Sequence, residues 1–203
     1  MWAKKEMMKI EAENNRSNIV IAISGLPGSG KSTVAEKLAE KLEMSKISGG
    51  DALKELAVEE GYEPSGEDWW ETEAGRDFLD LRGEDDRFDK KVDDKLLEMA
   101  KEGDIILDSW TMPWLLSSGF KVWIKADKEV RAKRVAERDN ISYDQAFESI
   151  KEREEKTFSI YKEIYDIEIG KDFSPFNIVI SSNELTPEKI VNILSFSIDQ
   201  KYS

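Results

Sequence analysis

Short apolar runs recur along the chain at 19–23, 104–107, 121–125 and 177–180, with a weaker one at 45–48. The first contains no polar residue at all, so it lacks the alternation of a half-solvated strand and predicts one buried on both faces, as in a parallel sheet. Between these runs the apolar period lengthens to three and four. Val34, Ala35, Leu38, Ala39 and Leu42 predict a helix over 31–42. Leu53, Leu56 and Ala57 predict another, starting near Asp51, and Phe88, Val92, Leu96 and Met99 predict one over 85–101. Residues 61–66, with two glycines and a proline, read as a loop. Further helices are expected over 67–82, 128–138 and 142–164. The last of these opens on a capping box, Ser142 with Gln145, and Thr186-Pro187 starts a final helix with a hydroxyl cap and proline at the first helical position. Strands alternating with helices predict an α/β fold of three layers: a five-stranded parallel sheet covered on both faces. Any ligand should bind at the carboxyl ends of its strands.

One motif stands at such an end. Gly25-Leu26-Pro27-Gly28-Ser29-Gly30-Lys31-Ser32 follows the first strand, precedes the first helix and fits G-x-x-x-x-G-K-[ST] at every fixed position. Gly25, Gly28 and Gly30 permit backbone conformations that turn successive N–H groups into one concavity, to which the helix N-terminus adds positive field. In such a loop Ser29 belongs to the phosphate cradle and Lys31 neutralises the β- and γ-phosphates. The Ser32 hydroxyl ligates Mg²⁺, and Thr33 lies on the α-phosphate side. ATP with Mg²⁺ is therefore the expected donor.

Composition narrows the chemistry. Neither histidine nor cysteine occurs in the 203 residues, which excludes imidazole catalysis, disulfides and thiolate metal sites. The net charge of −13 argues against general nucleic-acid binding. Residues 1–17 read as a charged extension before a single domain over 18–203, not as a secretory signal. No run approaches the length of a membrane span. A cytoplasmic address follows from these features, and a monomer is expected.

Other users of this loop are disfavoured by what is missing. No Asn-Lys-x-Asp base-reading motif is present, and Asp80-Leu81-Arg82-Gly83 matches a switch pattern only within an expected helix. The third strand ends in a lone Asp108, whereas motor ATPases carry adjacent acids there. A small phosphotransferase remains. From Ile19 to Leu194 the chain resembles the nucleoside monophosphate kinases, and the archaeal-type cytidylate kinases most. The phosphate loop carries the resemblance together with Ile47-Ser48-Gly49-Gly50-Asp51, the stretch from Ala100 to Asp108, the stretch from Val130 to Arg138, and Tyr161-Lys162-Glu163-Ile164-Tyr165. It implies a P-loop kinase fold with a helical monophosphate-binding arm over about 49–102 and a helical lid over about 128–153. It also implies a loop at 181–183 beside the nucleotide base, and transfer from ATP to a small acceptor, CMP foremost.

Residues for that chemistry can be named. Arg131, Arg134 and Arg138 recur at helical spacing and suit charge building on a transferring phosphoryl group, with Arg153 a further candidate. Pairing with neighbouring acids on a solvated helix is the alternative. Lys31, Arg131, Arg134 and Asp108 are the expected catalytic set, and Arg131 also belongs to the ATP-binding set. Asp51, Lys54 and Trp110 are expected on the acceptor. Asp51 could instead cap its helix, and Trp69, Trp70, Trp110 and Trp114 could stack on a base or pack in the core.

The chain also departs from its family. Lys54, Trp110 and Ile160 stand where the resemblance implies arginines, which leaves open an acceptor without a phosphate, such as a nucleoside, or a nucleotide-binding regulator with little turnover.

Overall fold

Parallel strands buried on both faces sort their side chains by parity, and this sheet does so without exception along its central strands. The computed structural model describes residues 18–64, 74, 77–78 and 87–203. Its strands are β1 (Val20–Ser24), β2 (Ser45–Ser48), β3 (Ile105–Asp108), β4 (Phe120–Lys125) and β5 (Ile178–Ser181), all parallel in the order β2-β3-β1-β4-β5. Ile21, Ile23 and Ile106 enter one core, whereas Ala22, Ile105 and Leu107 enter the other. The first core is closed by α1 (Lys31–Leu42) and by the C-terminal helix Pro187–Tyr202. The second is closed by α2 (Gly49–Glu59) and α3 (Arg87–Ala100), with Phe78 between rings of Tyr62 and Phe88. The three-layer α/β expectation is met.

Three strands lie one residue further along the chain than the hydropathy pattern predicts. The ladder continues into polar residues: Ser24, Asp108 and Ser181 end their strands, and Ser109 N and Ser182 N still donate to Ile23 O and Lys125 O at 3.2 and 2.8 Å. Asp104 instead leaves the strand with φ of 48° and accepts from Asn18 N and Ile19 N. A short helix α4 (Met112–Leu115), not foreseen, follows β3. Helix α2 starts at Gly49, two residues earlier than expected, because Ser48 is its cap.

Helices α5 (Lys128–Asp139) and α6 (Tyr143–Tyr165) share a small core of their own, Ala132, Val135, Ala146 and Ile150. The C-terminal helix is α7. Beneath α6 lies an aromatic cluster on Trp123, Ile167 and Ile169 that includes Trp110 and Trp114. The expected extension at 1–17, Trp69 and Trp70, and most of the helix expected over 67–82 lie outside the described residues; Ala74, Asp77 and Phe78 are helical. Among the described residues no helix is long and apolar enough to cross a membrane.

Candidate active site

Order β2-β3-β1-β4-β5 puts β1 at the centre, with the chain leaving it first to one side and later to the other. The loop after β1 therefore opens at the switch point of the sheet. Gly28 and Gly30 take φ of 79° and 89°. A Cβ on Gly25 would lie 2.4 Å from Ile124 O, and one on Gly28 2.7 Å from Arg131 O, so glycine is required at both by close approach. Gly30 is the cap of α1 and supplies no side chain, so the first N–H groups of that helix keep their donors for a ligand.

Two cavities meet at this loop. One, of about 680 Å³, runs along Gly28–Thr33 to Arg134, Arg138, Ser182, Leu185 and Pro187. The other, of about 1060 Å³, lies between β2, α2, α3 and α6, lined by Lys46, Gly50, Asp89, Asp93, Asp108 and Tyr161 among others. Lys31, Ser32, Trp110 and Arg153 line both. Lys31 Nζ sits 2.5 Å from Asp108 Oδ1 and 3.3 Å from Ser32 Oγ, and the Asp108 side chain is almost wholly buried. Two hard oxygen donors, Ser32 Oγ and Asp108, thus gather around one ammonium, a donor set that fits Mg²⁺ held with phosphate oxygens.

Several residues singled out from sequence take other positions. Arg131 is 4% exposed and lines neither cavity. Its guanidinium donates to Pro27 O and Ala126 O at 3.1 Å each and pairs with buried Glu154 of α6. It braces the phosphate loop from behind. Arg134 does line the first cavity, yet its Nη1 donates to Gly28 O, Ser29 O and Ser182 Oγ, and its Nη2 to Ser182 O. Ser29 is fully buried: its N–H turns back to Leu26 O and its Oγ faces Gly25. Asp51 closes a capping box with Ser48, its Oδ2 accepting from Ser48 N and Oγ at 2.8 and 2.7 Å. Asp51 and half-buried Lys54 line neither cavity. Trp114 packs edge-on against Trp123 and Phe176 and donates Nε1–H to Asp172 Oδ2. Trp110 straddles both roles: it packs on the aromatic cluster, lines both cavities, and its carbonyl accepts from Ser24 Oγ. Arg138, with a bidentate Asp139 beside it that raises its pKa, borders the first cavity.

The model of the cytidylate kinase-like family matches residues 20–184, which is most of the chain. This protein belongs to that family. A cytidylate kinase of Methanocaldococcus jannaschii is 33% identical over 186 residues, covering 89% of this chain and 98% of the relative. One of Pyrobaculum calidifontis is 36% identical over 190 residues, with 91% and 97% covered. Among solved structures, a shikimate kinase from Acinetobacter baumannii superposes with a TM-score of 0.54 at 15% identity, covering 95% of this chain and 99% of that one, and so shares the fold.

Three features of this family member escaped the sequence reading. Glu154 was hidden among the many acids of a charged helix; only burial distinguishes it. Asp89 and Asp93 each follow a core residue of α3, Phe88 and Val92, by one position, and are buried with them. Two acids at i and i+4 on the flank of an apolar stripe are the signal that would have found them.

Proposed function

We propose that the protein transfers the γ-phosphoryl group of ATP to a nucleoside monophosphate, with CMP the preferred acceptor. The observation that carries this reading is the junction: two cavities share Lys31, Ser32, Trp110 and Arg153, so a donor in one and an acceptor in the other meet beside two cations. The cavity along Gly28–Thr33 suits the triphosphate, and its continuation past Arg134, Leu185 and Pro187 suits the base and sugar. The acceptor then occupies the cavity between α2, α3 and α6.

Transfer requires an acceptor phosphate oxygen to attack the γ-phosphorus in line as the bond to the β-bridging oxygen breaks and its electron pair leaves with ADP. The attacking phosphate is already ionised at neutral pH, so no side-chain base is needed, in keeping with a chain without histidine. Lys31 and Arg153 neutralise charge at the junction, and the free N–H groups of α1 hold the donor phosphates. Mg²⁺, when bound, supplies further neutralisation of the phosphate oxygens, and Ser32 and Asp108 are the residues that would hold it. Arg131 acts indirectly, fixing Pro27 and hence the loop.

The test is an acceptor screen: Mg·ATP with each common nucleoside monophosphate and nucleoside, products resolved by chromatography. Nucleosides are included because Trp110 and Ile160, which stand where the resemblance implies arginines, line the acceptor cavity. CDP formation by the wild type, reduced about a hundred- to thousandfold in Lys31→Ala, is the expected result. Absence of ADP with every acceptor, or full turnover in folded Lys31→Ala, overturns the reading.

A further inference from the structure

Helix α6 carries two stripes one position apart, and they face different surroundings. Ala146, Ile150 and Glu154 recur every fourth residue. The first two pack in the small core shared with α5, and buried Glu154 continues their line. Ser149, Arg153, Thr157 and Ile160 run beside them and line the acceptor cavity, and Arg153 lines the donor cavity as well. Successive residues of a helix point about 100° apart, so whatever holds the first stripe sets where Arg153 points. Ala146 and Ile150 are apolar, and their contacts have no preferred direction. Glu154 is held differently. Its carboxylate pairs with Arg131 Nη1, which also donates to Pro27 O of the phosphate loop, while Arg131 Nε donates to Ala126 O just after β4. Glu154 itself lines neither cavity.

We propose that Glu154 is a positioning residue for phosphoryl transfer: through Arg131 it fixes the rotation of α6 against the phosphate loop, and so places Arg153 at the junction in register with the donor phosphates. This rests on the monophosphate kinase reading and deepens it. A buried ion pair is weak grounds for stability, because apolar side chains of similar volume fill the same space as well or better. What the pair adds is direction. The planar guanidinium is oriented by one carboxylate and two carbonyls at once, and charge-assisted hydrogen bonds of this kind weaken when the helix turns. Pro27, Arg131, Glu154 and Arg153 thus move as one unit. Transfer depends on such registration, since a cation misplaced by about 1 Å can lose about a hundredfold in rate.

The experiment is a double-mutant cycle on kcat, with Mg·ATP and the nucleoside monophosphate turned over fastest. In the wild type, Arg153→Gln should lower kcat about a hundredfold, as loss of a group that stabilises the transferring charge. Arg131→Met/Glu154→Leu replaces the buried pair by apolar side chains of similar volume. Its Tm should stay within about 5 °C of the wild type or rise, while kcat falls about ten- to hundredfold and KM for either substrate changes less. In that background Arg153→Gln should lower kcat by less than about threefold more. Glu154→Gln keeps an acceptor oxygen for Arg131 but loses the charge, so its kcat should lie between wild type and the double variant. A double variant with wild-type kcat, or one in which Arg153→Gln keeps its full effect, marks the pair as structural and overturns the proposal. If the double variant does not fold, Glu154→Gln decides by the same two readings. Unchanged kcat in Arg153→Gln also overturns it, because Glu154 would then have no cation to place. Those outcomes leave the kinase reading intact. A wild type that transfers to no nucleoside monophosphate overturns both, so the two failures are distinguishable.

Discussion

The cavities proposed for donor and acceptor adjoin, yet they are built by different means. The donor cavity is mostly backbone: glycines in conformations that only glycine takes freely, an uncapped helix start, and carbonyls tied down by Arg131 and Arg134. Its charged lining is Lys31, Arg134, Arg138 and Arg153 against Glu137 alone, among the described residues. The acceptor cavity is mostly side chains projecting from helices, and there Lys31, Lys46 and Arg153 face Asp89, Asp93, Asp108 and Glu152. A polyphosphate is the same in every ATP user and can be held by main-chain N–H groups whatever the sequence around them. An acceptor is particular to the enzyme and has to be read by side chains. Trp110 and Ile160, which stand where the resemblance implies arginines, both line this second cavity.

Gly28→Ala is the sharpest way to break the donor cavity alone. The residue would need φ near +79°, and its methyl would press on the Arg131 backbone at 2.7 Å. The left-handed conformation alone costs about 1–2 kcal/mol, and the contact is with helix main chain rather than the end of a flexible side chain. ATP affinity should fall about ten- to hundredfold by calorimetry, while CMP affinity stays within threefold. Equal weakening of the two ligands would show that the cavities are not independently built.

Trp110→Arg acts at the junction from the other side. Tryptophan there supplies packing against the Trp123 cluster but no charge for a phosphate. A guanidinium should lower the KM for CMP by about tenfold, on the scale of one charge-assisted hydrogen bond. The lost packing should lower Tm at the same time. A raised KM for CMP would mean that the indole itself positions the nucleotide, and that the acceptor cavity needs no further cation.

What could be read in advance divides along the same line. The phosphate loop was legible because its function is encoded as glycine spacing between a strand and a helix, and Gly25, Gly28, Gly30 and Lys31 lie where that spacing put them. The sheet was legible from Ile21, Ile106, Val122 and their neighbours, except at strand ends, where Ser24, Asp108 and Ser181 extend the ladder into the site without an apolar signature. The roles of charged helix residues were not legible. Arg131 and Arg134 share a helical face, yet one turns behind the loop and the other along the cavity. The difference lies in Glu154 and Ser182, which are distant in sequence. Asp51 fits a capping box as well as an acceptor contact, and only the position of Ser48 separates the two.

The smallest expected effect concerns stability, and it contrasts with the braced donor side. Asp93 has its carboxyl raised from an ordinary value near 4 to about 6, chiefly by burial. The folded state therefore holds this proton more tightly than the unfolded chain does. Stability from the group is complete below pH 4, declines as pH rises through 6, and is absent above that. Two pH units correspond to at most about 3 kcal/mol, and relaxation around the site should leave about 1–2 kcal/mol. Asp93→Asn cannot ionise and still accepts from Thr111, so it should be more stable than wild type at pH 8 by that amount and equal to it near pH 4, measured by urea unfolding. Its stability should also lose the downward slope between pH 4 and 6. A gain in stability at pH 8 would show that the ionised form of this buried carboxyl is a cost the fold carries at neutral pH. If Asp93→Asn instead destabilises the protein across the whole pH range, burial of the ionised carboxylate is not a cost, and Asp93 belongs to the framework that holds Thr111 and Tyr165 in place.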